Sequence, residues 1–531
     1  MTLRRFIIPA ALAFALTSNA QSSIQNPMTQ AVLAVYQEQL DENPRDYNVL
    51  LNRADEYYRH TEYIRALADV DKALEFIPAN ETALRVRAYT LRAGIQNSMN
   101  HPDRALPDLE SALALDPSQV QILAQRANTL FAIGRTADAK ADYQRISRLQ
   151  PRNAEAYIGL AKVAVAENNI GIANEMLETA VTLDPNNADT FIRRAQVRKA
   201  MGNHNGAVDD LVLALSINDS DPRAMAALVD YGNTNYPAAM QGLTTAVLAA
   251  QNTGMYRYLR AGLAQAHYHY LAALEDYQTI LDRHLYDYHG IYASMAECEY
   301  ALGRYTDALA NADKALAGER GKVAYYILRS KILRALGRNE DAVGAAAAGL
   351  VVDRSSTAAL TEMALADLAV GNADEASALL GEACLNDAED PAPAMMRAWI
   401  LEKYLHKPDA AGQLYNKVAD MEHFYIDNPA SLKGFALLFS ERADQGKAWM
   451  ENILNTVDDT DGHINYIGAC FYAQAGDTAR AMECARKALD LGYADWHDWM
   501  DKTDGRITVE PLRNDLTFLH LVTRYNAIFG R

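Results

Sequence analysis

Five prolines set a ruler along the first half of the chain. Pro117, Pro151 and Pro185 lie thirty-four residues apart and close the phrases LALDP, ISRLQP and VTLDP. Pro78 and Pro44 carry the series backward, with five extra residues between Pro78 and Pro117. Midway through each unit stands a small residue: Ala66, Ala105, Ala139, Ala173 and Ala207. A fixed period in this range is built from stacked supersecondary units rather than one globular core. The length of 531 residues would by itself allow several domains, but an array lengthens without enlarging any single core.

One unit, 153–185, shows the physics. Tyr157, Leu160, Ala161 and Ala164 recur at three- and four-residue spacing and so line one face of a helix. The residues ENN at 167–169 break it, a second face follows in Ala173, Leu177 and Ala180, and Pro185 punctuates the exit. Two amphipathic helices with a short turn make an antiparallel hairpin. Ala161 and Ala173 are small because the two backbones approach closely there, and a bulky residue at either costs roughly 1–3 kcal/mol through overpacking. One hairpin cannot bury both apolar faces, so it must stack on its neighbours.

This pattern resembles the tetratricopeptide repeat family. Its places are filled by Leu50, Ala54, Tyr57, Ala66, Ala73 and Pro78 in the first full unit, and by Leu123, Ala127, Leu130, Gly134, Ala139, Tyr143 and Pro151 in the third. The resemblance implies an all-α, right-handed solenoid of stacked antiparallel hairpins whose first helices line a concave face that holds peptides or partner helices.

Residues 1–20 stand apart. Arg4 and Arg5 precede the apolar run 6–16, and Thr17-Ser18-Asn19-Ala20 follows, the order of a secretory signal peptide. The alternative, an uncleaved anchor, requires a longer run to span a bilayer. No Cys follows the cleavage point, so the mature chain is expected in the periplasm or secreted, with no lipid anchor and no membrane insertion. Loss of Arg4 and Arg5 takes the formal charge from −18 to −20, which argues against a nucleic-acid partner.

Residues 21–44 are expected to form a capping helix, 45–221 a regular array, 222–290 an irregular Tyr-rich segment, 291–495 a second array and 496–531 a terminal cap. About thirteen hairpins follow from the phase. The insertion QNSMNHP at 96–102 predicts a protruding loop. In the Tyr-rich segment, Tyr256, Tyr258, Tyr288, His267 and His269 read either as packing between units or as a ligand or sugar-stacking patch. His267 and His269 are two apart and cannot face one another on a helix. Trp496, Trp499, Leu512, Phe518 and Leu519 are expected to cover the apolar end of the stack. Cys470 and Cys484, on the two helices of one hairpin, are either a disulfide or two buried thiols.

No metalloprotease, nucleophile-elbow, phosphate-loop or dinucleotide motif is present, and Asp and Glu are expected on solvent faces and turns. No catalytic residue, metal ligand or cofactor is assigned. Projection of the first helices turns Tyr58, Arg85, Tyr89, Arg92, Asn128, Phe131, Lys162, Gln196 and Lys199 toward the concave face. Arg85, Arg92, Lys162 and Lys199 reverse the local sign of an acidic chain, and Tyr58, Tyr89 and Phe131 supply anchors of hot-spot type. Arginine forks suit carboxylates, so an acidic or C-terminal peptide is the expected ligand; the alternative is a merely solvated strip. The family's carboxylate clamp is not matched, because Leu51 and Asp55 hold its first places. The expected function is a non-enzymatic interaction scaffold of the cell envelope, with a carbohydrate- or peptidoglycan-binding module and an enzyme sited in 222–290 as rivals.

Overall fold

The computed structural model describes residues 27–251, 253–286, 288–421, 429–501, 505 and 507–528. All regular structure among them is helical. Residues 1–20, read above as a signal peptide, lie outside the described residues. The chain divides into two compact bodies, one ending at Tyr231 and the other beginning at Gly232. The break therefore falls inside helix Pro222–Thr234 rather than at 221.

In the first body, helix Pro27–Glu42 packs on helix Tyr47–Arg59 and caps the stack. Five hairpins follow: Tyr47–Arg59 with Tyr63–Phe76, Thr82–Ser98 with Pro102–Leu115, Val120–Ala132 with Thr136–Leu149, Ala154–Ala166 with Ile170–Leu183, and Ala188–Ala200 with His204–Ile217. The second body holds seven more, from Gly254–Ala266 with Tyr270–Asp282 to His463–Gln474 with Thr478–Asp490. In both bodies each second helix packs on its own first helix and on the first helix of the next hairpin. With Pro222–Thr234 and Tyr236–Ala249, which follow one another between these two sets, the described helices from Tyr47–Arg59 to Thr478–Asp490 count in order as thirteen consecutive pairs, the number the phase predicts.

The small residues sit where the backbones meet. Ala54, Ala66, Ala127, Ala139, Ala161 and Ala173 are all buried, the last at 0 % exposure. Between the two helices one residue turns left-handed, as at Gly134 (φ 80°) and Gly202 (φ 74°). The Arg135 N–H then donates back to the Leu130 carbonyl at 2.8 Å, closing the helix end. Asn168 (φ 59°) does the same in the turn read from ENN.

Two expectations are corrected. The insertion at 96–102 forms no protruding loop: helix Thr82–Ser98 is 17 residues long against 13 for Val120–Ala132, so the extra residues add one turn. A whole turn preserves the apolar phase, and Ile95 and Gln96 are buried in it. Segment 222–290 is not irregular either. Helices Pro222–Thr234, Tyr236–Ala249, Gly254–Ala266 and Tyr270–Asp282 continue the series. Its phase is hidden because Tyr268 (φ 64°) takes the left-handed position usually given to Gly or Asn.

A third correction concerns charge. Acidic residues are not confined to solvent faces and turns: Asp69, Asp108, Asp142, Asp210 and Asp276 are buried on second helices. Each receives a two-pronged guanidinium from an arginine sixteen residues earlier, on the first helix of its own hairpin. The pairs are Arg53–Asp69 (2.7 and 2.8 Å), Arg92–Asp108 (2.7 and 2.6 Å), Arg126–Asp142 (2.8 and 2.7 Å), Arg194–Asp210 (3.0 and 2.6 Å) and Arg260–Asp276 (2.7 and 2.7 Å). Hydrogen bonding to the carboxylate lifts Arg53, Arg126 and Arg260 above the ordinary guanidinium value. Burial pushes the Asp210 carboxyl up even with Arg194 and Arg198 beside it. In the hairpin after Arg126–Asp142 the same register holds Leu160 and Met176, an apolar pair in place of an ionic one.

The second body ends on a tail that reaches back. Trp499, Leu512 and Phe518 are buried and Trp496 packs against the same core, as expected of a cap. Helix Leu516–Ile528 lies on Thr478–Asp490, and the short helix Glu510–Leu512 on His463–Gln474. The π-helical turn His497–Asp501 instead packs on helix Gly290–Ala301, about two hundred positions earlier in sequence. The Tyr270 hydroxyl donates to buried Asp495 at 3.3 Å, and the Tyr268 and Tyr493 rings meet at 4.5 Å.

Removing one member of a buried pair strands the other charge, whereas replacing both with apolar groups is often neutral. Arg126→Leu alone is therefore expected to cost about 2–3 kcal/mol, somewhat below the fully buried case because the guanidinium is part exposed. The double variant Arg126→Leu/Asp142→Met, which copies the next hairpin, should recover most of that loss in chemical denaturation.

Candidate binding groove between hairpins

The residues projected onto the first-helix face divide into those already committed to other groups and those that open into a cavity. Arg85, Tyr89 and Arg92 form a ladder on helix Thr82–Ser98. Arg85 Nη2 donates to the Tyr89 hydroxyl at 2.8 Å and its guanidinium lies 5.5 Å from the ring centroid; that of Arg92 lies 6.0 Å from it on the same ring. Arg92 is also held by Asp108 and by Asp71 at 2.8 Å. Hydrogen bonding to Asp108 holds it far above the ordinary guanidinium value. Its charge is thus balanced within the fold, which weakens the sign reversal expected there.

Tyr58 reaches the next hairpin. Its hydroxyl donates to the Gly94 carbonyl at 3.3 Å and sits 3.0 Å from Ser98 Oγ. Phe131 is half-buried against the core of its own hairpin. Gln196 and Lys199 are exposed, and Lys199 Nζ contacts Asp230 at 3.2 Å and lies 5.3 Å from the Tyr231 ring centroid.

Asn128 and Lys162 are brought together. They belong to the first helices of consecutive hairpins, Val120–Ala132 and Ala154–Ala166, and both line one cavity of about 220 Å³. Val120, Ala124 and Ile146 give it an apolar wall, while Tyr143, Gln150 and Glu155 supply polar groups. The Tyr143 hydroxyl donates to Asn128 Oδ1 at 2.7 Å. Its ring lies across Gly159, where an added Cβ would stand 2.2–2.5 Å from ring carbons. The absence of a side chain at 159 is what lets the tyrosine cross to the next helix. Burial, then Glu155 and Asp142, push the Tyr143 hydroxyl up to about 12. Burial and the neighbouring Arg193 pull the Lys162 ammonium below its ordinary value. Lys162 makes no ion pair among the described residues.

Two-helix hairpins at a thirty-four-residue period, small residues at both close approaches, a left-handed turn between the helices, and first helices sharing a cavity make an all-α array of stacked hairpins. That is the architecture which the resemblance to tetratricopeptide repeats implies.

No family model matches the chain. A 135-residue stretch is 25 % identical to the DnaJ homolog subfamily C member 7 homolog of Dictyostelium discoideum. The match takes in 24 % of this chain and 25 % of that protein, so the chain spans about a quarter of the relative's length. Among solved structures, yeast Tom70 is 14 % identical over 77 % of this chain and 97 % of its own, with a TM-score of 0.35. The Pseudomonas aeruginosa pilF protein is 17 % identical over 41 % and 99 %, at 0.32. YrrB, described as a TPR protein with an unusual peptide-binding site, is 22 % identical over 36 % and 96 %, at 0.29. The repeat class is decided by this chain's own hairpins, and these likenesses add no ligand to it.

Within the hairpin array the Tyr-rich segment is spent on packing. Tyr256, Tyr258, Tyr268, Tyr270 and Tyr277 are buried. Tyr258 meets Tyr277, Tyr286 and Tyr288 at 6.2, 5.6 and 5.8 Å. Burial holds the Tyr258 and Tyr277 hydroxyls well above the ordinary phenol value. Sugars need open aromatic faces, so the expected stacking platform is not offered by these rings. His269 stacks on Tyr236 at 5.3 Å, and burial lowers its pKa. Cys470 and Cys484 are buried free thiols, not a disulfide.

The sequence reading missed Tyr143 and Gly159 as parts of the groove. Both were visible, one as a family place and the other as a glycine inside a helical run. Gly159→Ala is expected to displace the Tyr143 ring, break its bond to Asn128 and cost about 1–3 kcal/mol by overpacking. Thermal unfolding checks this, and Gly159→Ala combined with Tyr143→Ala should lose less than the sum of the two single changes.

Proposed function

We propose that the chain is a non-enzymatic protein-interaction scaffold. The first-helix face of the body ending at Tyr231 takes an extended peptide or partner segment, with a carboxylate seated on Lys162. The observation that carries this reading is an ammonium in a partly apolar inter-hairpin cavity, its charge disfavoured by burial and without an ion-pair partner among the described residues. A carboxylate entering the cavity would compensate that charge, and Asn128 and Gln150 offer amides for a peptide backbone. The Arg85–Tyr89–Arg92 ladder and Tyr58, on earlier hairpins, extend the same face with aromatic surface.

The acidic balance of −18 supports a protein rather than a nucleic-acid partner. The basic, apolar and small-residue order of residues 1–20 supports export to the periplasm or beyond. No helix among the described residues is long and apolar enough to cross a membrane.

A displayed peptide library panned against the full chain tests the reading. Retained peptides should carry Asp, Glu or a free C-terminus, and Lys162→Ala should weaken them about tenfold, the worth of one charge-assisted contact. Because the folded pKa of Lys162 is lowered, affinity should fall as pH rises through that depressed value, earlier than for an ordinary lysine. Peptides that bind wild type and Lys162→Ala equally, or show no acidic preference, contradict it.

A further inference from the structure

The body beginning at Gly232 holds a larger cavity, of about 600 Å³, at the turn ends of four consecutive hairpins, with Tyr305 and Asn339 of second helices in its lining. One wall comes from helices Gly290–Ala301, Val323–Ala335, Thr357–Ala369 and Pro391–Lys403, the other from the returning tail at His497, Met500, Asp501 and Arg513. The site therefore exists only because the tail folds back on the array.

A chain of hydrogen bonds holds the tail in place. His497 Nε2 lies 2.8 Å from the Tyr300 hydroxyl, and Nδ1 lies 2.9 Å from that of Tyr305, which donates to Asp501 at 2.7 Å. Since Tyr305 spends its proton on Asp501, it accepts from Nδ1–H, and the other ring nitrogen pairs with the Tyr300 hydroxyl.

The lining has two chemistries. Leu365, Leu368, Trp399, Tyr404 and Met500 make an apolar and aromatic floor, in which Trp399 and Tyr404 meet edge to face at 5.2 Å. Above it stand three cations. Arg334 is balanced by buried Glu362 at 2.9 and 3.1 Å. Arg513 donates through Nε to the Trp499 carbonyl at 3.2 Å, which fixes its fork. Lys331, one helical turn before Arg334 on the same face, is exposed and makes no ion pair among the described residues. With Arg334 balanced by Glu362 and Asp501 also in the lining, Lys331 and Arg513 leave a net positive charge of one over the aromatic floor, on a chain of net charge −18.

We propose that this cavity binds a small organic anion: a carboxylate on an apolar or aromatic body, with its charged end on Lys331 and Arg513 and its body against Leu365, Leu368 and Trp399. The volume lies in the range of roughly 300–1,000 Å³ that encloses drug-sized ligands, and an apolar lining with a few placed polar groups is their usual surrounding. This inference is independent of the peptide reading, which concerns the other body.

The test is calorimetric titration of the full chain with 4-phenylbutyrate and its neutral counterpart 4-phenylbutanol. The anion should bind one per chain and about tenfold tighter than the alcohol, the worth of one charge-assisted contact. Lys331→Met should erase that preference while leaving the melting temperature unchanged, because Lys331 is exposed and makes no ion pair among the described residues. Leu368→Asp, a charge placed on the floor, should abolish binding of both probes. Equal affinity for anion and alcohol, an unchanged preference in Lys331→Met, no binding of the anion, or binding only of an acidic hexapeptide would each overturn the proposal.

Discussion

A guanidinium gripping a carboxylate sixteen residues further on is the contact most of this architecture depends on. It joins the first helix of a hairpin to the second, in the same register, in five hairpins. Small residues let the two backbones approach, but an alanine seam alone allows one helix to slide along the other. A planar fork on a fixed carboxylate does not. The bond therefore sets the longitudinal register of the five hairpins that carry it. In hairpin Ala154–Ala166 with Ile170–Leu183 both members change together to Leu160 and Met176, so no lone charge is left in that core.

The same bond decides what the inner surface can offer. An arginine on a first helix looks, in projection, like a candidate for ligand contact. Arg92 shows why projection misleads: its fork is already filled by Asp108, with Asp71 on its remaining edge. In the body ending at Tyr231, Lys162 lines a cavity, and its hairpin carries no internal ion pair of this kind. Charges spent inside a hairpin become visible only when second-helix aspartates are read together with first-helix arginines.

Much of the fold was legible because it is local. The three- and four-residue spacing of Tyr157, Leu160, Ala161 and Ala164, the small residue at 173 and the proline at 185 each answer to backbone geometry within a few turns. The hidden hairpin around Tyr268 shows the limit: a left-handed tyrosine stands where Gly or Asn usually marks the turn, and its ring is recruited by Tyr493. The insertion at 96–102 was misread because five extra residues can make a loop or, with four of them helical, one more turn, and burial of Ile95 decides between them. Half of the groove was legible in Asn128 and Lys162, while Tyr143 enters it only through the empty space at Gly159. The return of the tail was not legible at all, since Tyr300 and His497 are joined by no periodicity, only by tertiary contact.

The most direct test of the register bond is to watch the arginine side chains themselves. A proton–nitrogen correlation spectrum of the Nε–Hε groups, assigned by single Arg→Lys variants, reports how fast each Hε exchanges with water. Hε of Arg53, Arg92, Arg126, Arg194 and Arg260, each donated to an aspartate in the structure, should exchange far more slowly than that of exposed Arg59 or Arg148. Exchange of all these protons at the rate of exposed arginines would show that the clasps do not persist in solution, and that something else holds the hairpins in register.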